Sequence, residues 1–220
     1  SQLGGDVFVV PWNHFTDGGS QWSRPLNDSA FLAGLGEYVN NLPDGRPVIL
    51  VGHSFGGDSL LKAVGGTSSG IGARIRAERR LLAVATMDPT STGGLRMTAS
   101  GYYRVPSNVD LFFNRWQHVS APPFNFLDDG KIPDCKAAAC DQAAQAYERY
   151  ADGTIKRDWL RRPLLLAHSD VPNDDFIEAQ LIRQIRERLA KRTVVTLKSD
   201  GYQSYLVAEG GGGGALNANR

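Results

Sequence analysis

Cysteine, histidine and net charge are all scarce in this 220-residue chain, which has 2 Cys, 4 His and a formal charge of +1. Lys and Arg number 24 against 23 Asp and Glu, so no bulk field draws the chain to nucleic acid or to an anionic membrane. No uninterrupted apolar run nears the roughly 20 residues that a spanning helix needs, which excludes an integral membrane segment. No signal peptide is visible in SQLGGDVFVV, which lacks Met and a basic flank; this start reads as a mature end or as a cut within a longer gene. The two cysteines, Cys135 and Cys140, lie five apart in DCKAAAC. Two readings stand for them. Paired, they close a small loop and point to an oxidising, secreted or periplasmic compartment; unpaired, they are two small residues on a helix. Zinc is not expected there, because no His lies within ten residues.

What is present is an ordinary globular composition, 41% hydrophobic and 21% charged, over a length that fills one sizeable α/β core. Strand and helix patterns alternate. DVFVVPW (6–12), RPVILVG (46–52), RRLLAVATMD (79–88), NVDLFFN (108–114) and RRPLLLAH (161–168) read as buried strands. Residues 28–42, 54–66 and 174–192 read as helices, the last with Ile177, Leu181, Ile185 and Leu189 on one face. Continuously apolar strands between helices imply a mostly parallel sheet with helices on both faces. The core is expected over 1–192. Residues 115–160, with an Ala/Gln/Tyr-rich helix in AAACDQAAQAYERYA, are too long for a plain connection; they read as a lid or cap, or as a surface excursion without a role. Beyond 193 come two strand-like pieces, TVVTLK and YQSYLVA, and a flexible Gly-rich tail.

The chemistry concentrates in VILVGHSFGGD (48–58). A phosphate loop would need Lys after GxxxxG, and a dinucleotide fingerprint would need GxGxxG; neither is here. G-x-S-x-G between strand and helix remains. That pattern lifts a serine onto a strained turn above the sheet edge, with the positive end of a helix beneath it. Gly52 and Gly56 are expected because a side chain at either would collide across the turn. The Phe55 N–H can then face the oxyanion formed when Ser54 attacks a carbonyl.

A serine needs a base. His53 fills the x of the turn, its ring directed away from the nucleophile. His14 and His118 lie in loops and read as pocket walls or satisfied polar residues. His168, after the last core strand, fits the order serine, acid, histidine. For the acid, Asp88 stands at a strand end with Pro89 forcing the chain out of the sheet. Asp128 and Asp129 come well past their strand, and Asp170 and Asp174 read as helix caps.

With these residues in hand, the chain resembles the α/β-hydrolase superfamily. VILVGHSFGG is similar to its nucleophile elbow, ATMDPT to the lipase-like variant that carries the acid one strand early, and AHSDVPND to its histidine loop. The resemblance covers about residues 6–190. It implies an α/β-hydrolase fold and a serine hydrolase of carboxylic esters, often lipids, acting through an acyl-enzyme on Ser54 without metal or cofactor. The same three residues would serve a thioesterase, an amidase or an acyltransferase, and a non-catalytic binding protein of this fold is the alternative from another class. One departure is plain: the HG segment that supplies a second oxyanion N–H is missing, as the fold's first strands are. Either the amino terminus is truncated or PWNHF substitutes. In that loop Trp12 and His14, together with His53, would line the substrate site.

Overall fold

The computed structural model describes residues 29–66, 72–89, 103–117, 130–132, 134–192 and two short strands near the carboxyl end. Helix α1 (Ser29–Asn41) leads into strand β1 (Ile49–His53), helix α2 (Phe55–Gly65) and strand β2 (Ala83–Met87). Short β3 (Arg104–Val105), long β4 (Leu111–Gln117), short β5 (Asp134–Cys135) and β6 (Ala139–Gln145) follow. A 3-10 turn (Val171–Asn173) then precedes helix α3 (Asp175–Arg192). Strands β7 (Leu197–Lys198) and β8 (Tyr205–Leu206) pair antiparallel. The expected 6–12 strand lies outside the described residues.

Strands β1, β2, β4 and β6 form one parallel sheet in that order. Alternation along β2 and β4 divides the core. Val84 and Phe112 point to one face, where they meet Val39 of α1 and Leu61 and Val64 of α2. Ala85 and Phe113 point to the other, with Ile177, Leu181 and Ile185 of α3. Period two in the strands and period four in α3 are thus satisfied together. Each such buried aliphatic or aromatic side chain contributes about 1.5–3 kcal/mol. Asp174 opens α3 as a cap: its Oδ1 accepts the Ile177 N–H at 3.1 Å.

Two expected elements differ. The stretch read as an Ala/Gln-rich helix is strand β6, paired in register with β4 from Leu111↔Ala139 to Gln117↔Gln145. Ala and Gln favour helix locally, but an open edge of β4 offers seven ladder positions, and tertiary pairing overrides propensity. This part of 115–160 therefore belongs to the sheet; residues 118–129 lie outside the described residues. RRPLLLAH is not a sheet strand either. Its residues take part in isolated antiparallel bridges, Tyr147↔Leu165 and Arg157↔Pro163.

Polar side chains fix the sheet's register. Thr86, Asn114 and Gln142 stand side by side on β2, β4 and β6. Thr86 Oγ1 donates to Asn114 Oδ1 at 3.0 Å, and Asn114 Nδ2 donates to Gln142 Oε1 at 3.3 Å. A slip by one residue would leave these buried groups unsatisfied. Buried Arg115 bonds Asp141 Oδ2 at 2.9 Å and Gln180 Oε1 at 3.0 Å, tying β4 to β6 and α3. Burial pushes the Asp141 carboxyl up, but hydrogen bonds from Arg115 and Gln184 and the nearby cationic charge outweigh it and hold the group below its ordinary range. Cys135 and Cys140 form a disulfide that joins β5 to the start of β6.

Candidate active site

Ser54 stands where β1 gives way to α2. Its backbone is at φ 54° and ψ −124°, a region that costs a non-glycine residue about 1–3 kcal/mol. The surroundings hold it there. Its N–H donates to the Met87 carbonyl at 3.0 Å, prolonging the β1–β2 ladder past the strand end. It occupies the cap position of α2 yet makes no side-chain capping bond, so its hydroxyl is not spent on the helix.

Gly52 is required by contact. A Cβ there would lie 2.6 Å from the Gly56 carbonyl oxygen and 2.8 Å from a Leu60 methyl. Gly56, expected to be tight for the same reason, would carry its Cβ into open space. The close approach is one-sided: Gly52 aims at the backbone of Gly56, while Gly56 aims elsewhere. Gly57 is the second tight position, its Cβ falling 3.1 Å from that of Pro89. Sequence reasoning passed over that glycine, although the doubled Gly in SFGGD was the available signal.

Asp88 follows β2 directly. It is fully buried, lies at φ 45° and donates its N–H to the Arg115 carbonyl at 2.7 Å. Pro89 then packs on Gly57, so the serine turn and the Asp88 turn brace each other. Arg115 is a support that sequence reasoning missed, and its charge within the apolar run LFFNRW was the sign.

His168 arrives after buried Leu166, on a loop that continues into the 3-10 turn. Its Nδ1–H donates to Asp88 Oδ2 at 2.6 Å, which leaves Nε2 to accept from the Ser54 hydroxyl at 2.9 Å. The His168 side chain is 44% exposed, so the chain of three runs from a dry carboxylate to an accessible imidazole. Asp170 and Asp174 serve local roles: Asp170 Oδ2 accepts the Ala167 N–H at 3.3 Å, and Asp174 caps α3.

His53 ends β1. Its ring turns toward the histidine loop, 4.7 Å from the His168 ring between centroids. Its Nε2–H donates to the His168 carbonyl at 2.9 Å. Burial pushes the His53 imidazole below its ordinary range; the bond to the carbonyl works the other way, and the neighbouring His168 adds to the lowering. Phe55 opens α2, so its N–H is among the first-turn donors that find no acceptor within a helix. Trp12, His14, His118, Asp128 and Asp129 lie outside the described residues.

Ser54 and Asp88 follow β1 and β2 at the carboxyl end of the parallel sheet, where open α/β sheets bind their ligands, and a loop outside the sheet brings His168 to them. The sequence model of a family described as the Alpha/beta hydrolase family matches residues 3–211. The chain belongs to the alpha/beta hydrolase family. No curated protein and no solved structure matches it. In this alpha/beta hydrolase, among the described residues, no group of three His, Cys, Asp or Glu side chains could hold a metal ion. Nor is any described helix long and apolar enough to cross a membrane.

Proposed function

We propose that this alpha/beta hydrolase cleaves carboxylic esters through an acyl-enzyme on Ser54. The observation that carries the reading is the continuous Ser54–His168–Asp88 hydrogen-bonded chain, with contacts of 2.9 and 2.6 Å, built on a strained serine turn. Backbone strain at a nucleophile is retained only where the surroundings over-determine it, and here β2 holds the turn through the bond from the Ser54 N–H to the Met87 carbonyl.

His168 Nε2 takes the hydroxyl proton as Ser54 Oγ bonds to the ester carbonyl carbon. Asp88 holds Nδ1–H and stabilises the imidazolium that forms. The negative oxygen of the tetrahedral intermediate is met by the Phe55 N–H at the positive end of α2. His168 returns the proton to the departing alkoxide, leaving the acyl group on Ser54. Water, deprotonated by the same nitrogen, then attacks the acyl carbonyl; collapse releases the acid and restores Ser54.

The test is labelling with a fluorophosphonate, which traps an activated serine. The parent chain is expected to label and Ser54→Ala to remain unlabelled. Labelling that survives Ser54→Ala, or none in a folded parent that includes residues 1–28, rejects Ser54 as nucleophile. Turnover of matched ester, thioester and anilide substrates then ranks the ester reading against a thioesterase or an amidase.

A further inference from the structure

Between β6 and the His168 loop the chain leaves the sheet as a narrow ribbon. Tyr147 pairs with Leu165, Arg149 with Ile155 and Arg157 with Pro163. Its far turn, Asp158–Arg162, is tightly built. Asp158 N–H donates to the Arg162 carbonyl and Arg161 N–H to the Asp158 carbonyl, both at 2.9 Å. Asp158 Oδ1 accepts the N–H groups of Leu160 and Arg162, each at 2.9 Å. Asp158 Oδ2 accepts Arg162 Nε at 2.8 Å. Arg157 Nη1 donates to the carbonyl of Arg161 at 2.8 Å, and Arg161 itself sits at φ 62°.

What this turn holds outward is apolar. Trp159 is 87% exposed and Leu160 50%. A lone exposed hydrophobe carries no meaning. Here a Trp and a Leu are adjacent, fixed by a hydrogen-bonded turn, and set among Arg157, Arg161 and Arg162, all exposed, against the single carboxylate of Asp158.

We infer that this tip docks the protein on an anionic phospholipid surface, with Trp159 and Leu160 entering the headgroup layer. Trp belongs at that depth because its ring is apolar and its N–H polar. Arg lays its stem along the acyl boundary and presents a fork that matches phosphate oxygens. A protein partner fits less well. The apolar part of the tip is two side chains, Trp159 and Leu160, and an aromatic residue buries roughly 150–250 Å², well below the approximately 800 Å² that a standard interface takes from each side. A bilayer accepts a wedge without matching its shape. The ribbon returns to the core at Leu166, two residues before His168. Under the ester-hydrolase reading, esters resident in the bilayer become substrates; the docking itself does not rest on that reading.

The test is co-sedimentation of the full chain with vesicles, in a Ser54→Ala background so that no lipid is consumed. Binding is expected to an equimolar phosphatidylcholine–phosphatidylglycerol mixture, weakened by salt, and to be much poorer on phosphatidylcholine alone. Arg157→Gln and Arg161→Asn should each lower the partition coefficient about fivefold. Trp159→Ser should lower it by roughly tenfold or more, with its thermal melt unchanged because the side chain is exposed. In the active chain, Trp159→Ser should leave turnover of a water-soluble ester intact, which separates this claim from the assignment of Ser54. Absence of parent binding to anionic vesicles, or binding indifferent to all three substitutions, overturns the proposal. A concentration-dependent dimer abolished by Trp159→Ser would give the tip to a second copy instead and likewise overturn it.

Discussion

Replacing Asp88 by Asn tests the assigned acid at a single atom. The carboxylate is fully buried and accepts Nδ1–H of His168 at 2.6 Å. Asn has the same shape but can present an N–H there. His168 would then accept at Nδ1 and carry its proton on Nε2, facing a serine hydroxyl that it can no longer deprotonate. Loss of the correct tautomer and of a counter-charge for the imidazolium costs about four orders of magnitude in kcat in serine hydrolases generally. That loss corresponds to about 5 kcal/mol of transition-state stabilisation at 1.36 kcal/mol per tenfold. The assay is steady-state hydrolysis of a p-nitrophenyl ester at neutral pH, with a thermal melt to read folding. Asp170→Asn is the control, since that carboxylate supports only a turn near His168 and its loss should change kcat by no more than a few-fold. If a folded Asp88→Asn protein keeps kcat within tenfold of the parent, or if Asp170→Asn is the one that collapses, the assignment of the acid is wrong.

The serine turn yields a paired prediction on stability. Gly52→Ala drives a Cβ to 2.6 Å from backbone and should destabilise by about 1–3 kcal/mol, lowering Tm by roughly 3–10 °C. Gly56→Ala meets nothing and should hold or raise Tm by a degree or two, because Ala in a helix is favoured over Gly by about 0.5–1 kcal/mol; equal losses at both positions in a thermal melt would contradict the one-sided contact. A pH series of urea midpoints tests His53. Its folded imidazole titrates below the ordinary 6.5, so the unfolded chain takes up the proton first as pH falls. The stability contribution is complete above 6.5 and is lost on the way down through the folded value. His53→Gln keeps an N–H for the His168 carbonyl and removes the titration, so its midpoint should decline less steeply than the parent's below pH 6.5; parallel curves would mean that His53 is not held neutral.

Much of the site was legible because it is local. VILVGHSFGG carries its own instructions: an apolar strand, a glycine that must pass backbone at close range, and a serine that opens a helix. The position of Asp88 followed from the rule that chemistry collects past strand ends, and α3 from its four-residue repeat; His168 was placed past an expected strand, RRPLLLAH, that the sheet does not contain. Elements that depend on distant partners were not legible in the same way. AAACDQAAQ prefers helix in isolation and becomes β6 because β4 offers an open edge. LLLAH looks like a core strand, yet only Leu166 of its leucines is fully buried.

By itself, then, the sequence determined most of the alternation of strand and helix, the serine turn and the order in which Ser54, Asp88 and His168 occur, since each is written in a short window of residues. Only the tertiary structure decided that Gly57 rather than Gly56 is the second tight glycine, that the His53 ring braces the His168 loop, and that Trp159 and Leu160 project among arginines. Those are facts about which surfaces meet and which are left open. A balanced total charge averages away the cationic tip, and contacts between residues more than a hundred positions apart have no signature in either partner's neighbours.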